Sequence, residues 1–360
     1  MERVTYLLGA GFSAPLGLPI MSNFLSKAKD MYFGADEQNY RYFRSILGGI
    51  DKMAKVNLLL DLNLYNIEDI LSLLEMERFV RPGIQYEVYR RFIRDVISYY
   101  TPKLSAPTEL LNSQNIDWIG KILGQGAYRG YLIWLLNLLQ CKLSRLNQDG
   151  ALVLNYTPLE KVVEYQIVTL NYDLVVENMI GYMAEIFHPQ ESIRIDIAKL
   201  HGSVDGKIIP PTWNKQVPKK IQESWKVAYE DISNTNHLRI IGYSMPTNDN
   251  HMKYLLSVSL KNCPNLKSID VITRDSTGET KARYDRLLKP FPYYHFRNAT
   301  VEDYFDLMFS SYSKTERGTG EPPFQQYIGS GLVENESGGH FQANAKSHEK
   351  DHAIFMKLSN

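Results

Sequence analysis

The rhythm of apolar positions changes twice along this chain. Residues 4–11 form a short apolar run that ends in glycine, the pattern of a strand buried on both faces. From about residue 21 to 146 the spacing is helical. Ile67, Ile70, Leu71 and Leu74 share one helix face behind Asn66, a candidate N-cap, and Tyr86, Tyr89, Phe92, Ile93, Val96 and Ile97 repeat the interval. Residues 132–139 are almost wholly apolar, yet far short of the ~20 needed to cross a bilayer and flanked by Arg129 and Lys142, so they predict a buried helix. After Gln166 short apolar runs return, and 167–170, 193–200, 238–241 and 269–273 read as strands with helix-like stretches among them.

That alternation predicts an α/β fold with a Rossmann-like, doubly wound parallel sheet, its first strand separated from the others by a large helical insertion at about residues 35–160. Residues 1–310 are expected to form one domain. Residues 315–360, rich in Gly, Ser, Asn, Glu and Lys, are expected to form a flexible or partner-docking tail, in which 353–356 is either a docking element or a plain terminus.

Composition narrows the functional classes. Forty basic residues balance forty acidic ones, so the chain lacks the electrostatic footprint of a dedicated nucleic-acid binder. The basic stretch Lys207, Lys215, Lys219 and Lys220 reads as a solvated face. Two cysteines, Cys141 and Cys263, without CxxC spacing or a secretory signal, point to the cytoplasm and away from a thiolate zinc site.

Candidate chemistry gathers at the ends of the predicted strands. Gly9, Gly11 and Ala14 match G-x-G-x-x-G/A directly after a strand, where glycines permit a tight turn and close backbone approach to a pyrophosphate, with backbone N–H groups pointing at the anion. The same pattern also occurs as a turn that holds no ligand. "TLNYD" puts Asn171 and Asp173 just past a second strand, with Asp173 either a ligand group or an N-cap for the next helix. "LHGS" puts His201 past a third, as a general base or a structural histidine. "IIGYSMP" ends a fourth with Gly242 and Ser244, suited to a phosphate or ribose.

In this order the segments resemble the sirtuin superfamily. "GAGFSAPLGLP" is similar to the sirtuin GAGxSxxxGIP loop, "TLNYD" to TQNID and "LHGS" to the catalytic HG. "IIGYSMP" and the later "VITRDS" resemble the two segments that hold the adenosine half of NAD. The resemblance spans residues 4–30 and 165–275. Two departures bear on the branch: Cys263 is the only cysteine after His201, so the four-cysteine zinc module of deacylase sirtuins cannot form, and the span from His201 to Leu238 leaves little room for a peptide groove. Ile-Met-Ser-Asn follows Pro19 where deacylases carry an acidic residue and Phe-Arg.

The chain is more similar to sirtuin-like NAD hydrolases of bacterial antiviral systems, to which "NIEDILSLLE" and "IIPPTWNK" also correspond. The resemblance implies that NAD+ is the substrate and that no metal takes part. Gly9, Ala10, Gly11 and Ser13 are expected at the pyrophosphate, and Asn171 at the ribose hydroxyls or the attacking water. Asp173 is expected at the nicotinamide carboxamide and His201 as the base. Gly242 and Ser244 are expected at the adenosine ribose or phosphate, with Arg274 and Asp275 near the adenine. It also implies an enzyme held off until it assembles into a homo-oligomer or meets a sensor or activator, such as a ring-forming ATPase or a nucleic-acid-guided protein, away from any membrane. An NAD or ADP-ribose sensor without catalysis, and a deacylase or ADP-ribosyltransferase, stand as alternatives.

Overall fold

The computed structural model describes residues 1–34, 40–57, 67–80, 86–105, 122–123, 128–148, 151–161, 163–187, 193–209, 219–291, 293–313 and 340–342. The chain opens with β1 (Glu2–Leu8), the single turn α1 (Ala10–Ser13) and 3-10 turns at Ala14–Leu16 and Met21–Asn23. Helices α2 (Phe24–Gly34), α3 (Arg41–Asn57), α4 (Ile67–Val80), α5 (Tyr86–Tyr100) and α6 (Tyr128–Leu139) follow, then strands β2 (Cys141–Gln148) and β3 (Ala151–Pro158). The remainder alternates: β4 (Val163–Thr169), α7 (Val175–Phe187), β5 (Ile197–Lys199), α8 (Lys219–Ser233), β6 (His237–Ile241), α9 (Asn250–Lys261), β7 (Ser268–Thr273), α10 (Glu279–Leu288), β8 (Tyr294–Asn298) and α11 (Val301–Ser313), with a last short strand β9 (His340–Gln342).

Six strands form one parallel sheet in the order β5-β4-β1-β6-β7-β8. The chain leaves the central β1 for β4 and β5 on one side, then crosses back to β6, β7 and β8 on the other. The order therefore reverses between β1 and β6, where the carboxyl ends of neighbouring strands open a crevice. This is the predicted doubly wound sheet, with helices supplied between β1 and β4.

Burial explains why these strands read as apolar runs. β6 and β7 are buried at every position, and β1 from Val4 onward. Alternate side chains serve two cores. Tyr6, Leu8, Phe12, Ile241 and Ile272 pack with α6, while Leu7, Leu238, Ile240 and Val271 pack with Ala228 and Ile232 of α8, Leu256 of α9 and Tyr284 of α10. From Tyr131 to its end α6 is buried on all sides, and Trp134 meets Tyr6 edge-on with ring centroids 5.4 Å apart. A polar row crosses the middle of the sheet: Arg239 Nη1 donates to the Tyr6 hydroxyl (2.7 Å), and its cross-strand neighbour Asp270 meets Ser268 (2.8 Å) and His295 Nδ1 (3.1 Å).

The structure corrects several sequence expectations. The helical pattern does not continue to Leu146. It stops at Gln140, which takes a left-handed φ of 47°, while its side-chain amide exchanges two hydrogen bonds with the Val163 backbone. Cys141 then begins β2, which pairs antiparallel with β3. The run 193–200 yields only three paired residues, because β5 lies at the sheet edge and is held by β4 alone. β8 was not anticipated, and His340–Gln342 of the expected tail pairs with Lys142–Ser144. Lys207 and Lys219 are exposed; Lys215, the N-cap candidate Asn66 and segment 353–356 lie outside the described residues.

Two turns interlock at the switch point. Gly9 N–H donates to Ile241 O (2.9 Å), Gly11 N–H to Gly242 O (2.8 Å) and Gly242 N–H to Ile272 O (2.8 Å), so backbone bonds tie the turns after β1 and β6 to each other and to the end of β7. A Cβ on Gly9 would lie 2.6 Å from Gly242 O, and one on Gly242 only 2.2 Å from Phe12 N. Gly242 also sits at a φ of +67°, which disfavours any side chain. Gly242→Ala is expected to cost more than about 3 kcal/mol in urea unfolding, since strain and overlap with rigid backbone add. Gly17→Ala, at a φ of +90° with nothing within 4 Å, should cost only the left-handed term of about 1 kcal/mol.

Candidate active site

A cavity of about 580 Å³ opens beyond the carboxyl ends of the sheet, within the ~300–1,000 Å³ typical of small-molecule and cofactor sites. Consecutive strand ends furnish its polar wall: Gly9, Ala10 and Gly11 after β1, Asn171 and Asp173 after β4, His201 after β5, Gly242 and Ser244 after β6, Arg274 after β7, and Thr300 and Glu302 after β8. The opposite wall is apolar and comes from Leu18, Phe24 of α2, Ile67 and Leu71 of α4, and Ile93 and Ile97 of α5. The structure thus brings nine of the eleven sequence-predicted site residues to one cavity. Ser13 and Asp275 are not on its surface.

Ser13 is buried behind the wall, where it joins the β1 and β4 ends. Asn171 Nδ2 donates to Gly9 O (3.0 Å) and to Ser13 Oγ (3.2 Å), and the Ser13 hydroxyl in turn bonds the Asp173 carboxylate. Asn171 is also tied through its own N–H to Thr169 Oγ1 (3.1 Å). Asp173 Oδ1 accepts from Val175 N–H (3.1 Å), the first residue of α7, so this residue both caps the helix and faces the cavity. Burial pushes its carboxyl above the usual value. Lys199, the Val175 N–H and Ser13 oppose that rise, while Glu177 adds to it.

Asp275 has a different task. Its carboxylate accepts from the N–H groups of Lys281 (2.9 Å), Gly278 (2.9 Å) and Thr277 (3.3 Å), which organise the start of α10. Burial would raise its pKa, but these backbone donors outweigh burial and hold it low. Of the backbone N–H groups in the motif loop, those of Gly9 and Gly11 are committed to Ile241 and Gly242. Arg274 and the Ser244 hydroxyl are polar donors on the same wall, and both residues are exposed.

His201 is buried, its ring 6.4 Å from that of Trp225 in near-parallel alignment and 6.0 Å from Tyr172. Trp225 Nε1 donates to Leu200 O (2.9 Å), fixing the residue before it. The following loop folds back so that Ile209 N–H meets His201 O (2.8 Å). Helix α5 grips that loop from the insertion: Arg90 donates through Nε (3.0 Å) and Nη2 to Ile208 O, and Arg94 to Gly206 O (3.0 Å).

Sequence reasoning missed Tyr243, Asp249, Thr300 and Glu302. Tyr243 donates its hydroxyl to Asp249 (2.8 Å), which caps α9 through Met252 N–H (3.2 Å). Thr300 and Asp303 exchange side-chain to backbone bonds of 3.1 and 2.8 Å as a capping box at the start of α11, with Glu302 inside that turn. The T-x-x-D spacing at 300–303 was the available signal. Among the described residues, no group of three or more His, Cys, Asp or Glu side chains is placed to hold a metal ion, and no helix is long and apolar enough to cross a membrane.

No protein-family model matches the sequence, and no curated protein matches it. Solved structures similar to the chain include a Sir2 in complex with the inhibitor EX-527, 2′-O-acetyl-ADP-ribose and a deacetylated p53 peptide, at 12% identity over 86% of this chain and 93% of that one, with a TM-score of 0.34. Sir2Tm bound to a propionylated peptide matches at 12% identity over 86% and 92%, with a TM-score of 0.35. A Sir2–p53 peptide–NAD+ structure matches at 12% identity over 86% and 92%, with a TM-score of 0.34.

The state of Asp173 yields a stability test. With its folded pKa raised, the native protein binds this proton more tightly than the unfolded chain does. Ionised Asp173 therefore costs stability above the raised value, and the cost vanishes as pH falls through it toward the ordinary carboxylate pKa. Asp173→Asn is expected to raise the urea midpoint at pH 8 by an amount worth about 1 kcal/mol, with the margin shrinking toward about pH 4.

Proposed function

We propose that this cavity binds NAD+ and hydrolyses its nicotinamide–ribose bond to nicotinamide and ADP-ribose. The observation that supports the reading most is the convergence of Asn171, Asp173 and His201, from two adjacent strand ends, beside the interlocked glycine turns and on the wall that also carries Ser244 and Arg274. The cavity volume of about 580 Å³ suits a folded dinucleotide, and its lining offers the donors and acceptors that a sugar, an amide and phosphates require.

The bond to be broken links a cationic pyridinium to ribose and opens through an oxocarbenium-like state. Nicotinamide then leaves neutral, water adds to the sugar carbon and one proton is released. In this reading Asp173 accepts from the carboxamide N–H and holds the leaving group. The Asn171 amide N–H groups are engaged with Gly9 and Ser13, which leaves its carbonyl oxygen to align a ribose hydroxyl or the water. His201 takes the proton, a task suited to imidazole near neutral pH. Arg274 and Ser244 meet the phosphate or adenosine side. Ser13 and Asp275 act at one remove, by holding Asp173 and Asn171 in place and by shaping the turn that follows Arg274.

The same reading makes the protein an effector that depletes NAD+ when activated, in the antiviral setting its motifs resemble, with assembly or a partner protein as the trigger. Purified protein incubated with NAD+ should release nicotinamide and ADP-ribose in equal amounts, with no acyl-lysine peptide required. His201→Ala should lower turnover about 10²- to 10⁴-fold while ADP-ribose still binds. ADP-ribose binding without nicotinamide release by the parent protein, at any protein concentration, would favour the sensor reading instead.

A further inference from the structure

Lys199 ends β5 directly before the Leu200-His201 turn, and its side chain is only 14% exposed. Lysine is seldom buried unless its ammonium is paired. Here Nζ donates to the backbone oxygen of Asp173 and to Glu177 Oε1 (2.7 Å). It therefore bridges the β4 end and the first turn of α7 from the neighbouring strand. Lys199 is not among the residues that line the cavity, so it acts on a ligand only through another group.

We propose that Lys199 is the positioning residue for Asp173: its ammonium anchors the Asp173 peptide oxygen and places a positive charge beside the carboxylate, favouring the charged form that accepts a hydrogen bond from an amide of the ligand. The proposal rests on the reading of Asp173 as the group that meets the nicotinamide carboxamide. Its geometric basis is the fork from one ammonium to the Asp173 carbonyl and to the Glu177 carboxylate one turn further along α7.

Several titratable groups face Asp173 among the described residues. Lys199 approaches from β5 and Glu177 from one turn along α7; the Ser13 hydroxyl donates from α1, and the Tyr131 hydroxyl lies within electrostatic reach from α6. His201, Arg274 and Glu302 share the cavity wall. Among these groups Lys199 is the cation that lowers the Asp173 pKa against burial, and Glu177 is the anion that raises it. Lys199 and Glu177 form one ion pair, yet they act on Asp173 in opposite senses.

That opposition makes the test selective. If the pair only braces β5 against α7, Lys199→Met and Glu177→Gln should weaken the protein alike and leave the pH profile in place. If Lys199 sets the charge of Asp173, Lys199→Met should move the acidic limb of the kcat/KM profile for NAD+ upward by about one pH unit or more, Glu177→Gln should leave it or move it downward, and Lys199→Arg should restore most of the parent profile. The same displacement should appear in the ligand-free protein, as the titration midpoint of the Asp173 carboxyl carbon in ¹³C-aspartate NMR, assigned with Asp173→Asn. An unmoved Asp173 titration in Lys199→Met, or parallel shifts in both variants, would overturn the proposal. Should Lys199→Met not fold, a Glu177→Gln titration moving upward would overturn it as well. A parent protein that cleaves no NAD+ would count against the hydrolase reading, while the carboxyl titration would still decide the role of Lys199.

Discussion

Backbone contact between the turns after β1 and β6 is the constraint on which the site depends. Gly9 and Gly11 press against Gly242, with amide hydrogens of one turn captured by carbonyls of the other. No side chain fits in this contact, and it occurs where the strand order reverses and a crevice must open. The glycines therefore do more than clear space for a ligand. They lock the end of β1 to β6 and so set how far apart Asn171 and Ser244 stand along the polar wall.

A second layer of bonds transmits that position to Asn171 and Asp173. Gly9 O receives the Asn171 amide, which also reaches Ser13, and Ser13 reaches Asp173. A buried carboxylate is costly unless its charge is met. Asp173 meets that need with a helix-start N–H, a hydroxyl and the nearby Lys199 ammonium, and burial still raises its pKa. A carboxylate required only as a helix cap would be served as well by an exposed position at the same turn. Its burial at the cavity wall is the kind of local cost that functional sites carry and the surrounding fold absorbs.

Much of this was legible in the sequence because strand ends carry strong local signals. The run into Gly9, the Asn171-Tyr172-Asp173 triplet, His201-Gly202 and Gly242-Tyr243-Ser244 each join a β pattern to a residue type suited to a turn, and strands in a parallel sheet bring such ends to one edge. What stayed hidden was tertiary. β8 mixes polar and apolar residues at the sheet edge, so its pairing was not visible, and the T-x-x-D cap at 300–303 had no strand before it to place it at the cavity. Gln140 ends α6 by exchanging bonds with Val163, 23 residues later, which no local pattern encodes. The commitment of Gly9 and Gly11 amides to another loop is likewise a property of the folded sheet, whereas the motif alone reads as an anion nest.

The insertion is part of the cavity and not an appendage to it. The strand ends contribute nearly all of the polar groups, while α4 and α5 of the insertion, with α2 just before it, contribute the apolar surface, so expulsion of water from any bound ligand would depend on both. The two are also joined beside His201, where Arg90 and Arg94 of α5 hold the carbonyls of Ile208 and Gly206. Ile208 pairs with Gly202, and the next residue returns a backbone bond to His201 itself. A rotation of α5 that moved these guanidinium groups would therefore pull on the loop that carries the histidine before it disturbed the sheet. In this architecture the strand ends define which groups meet, and the helices between β1 and β4 govern how firmly one of them is held.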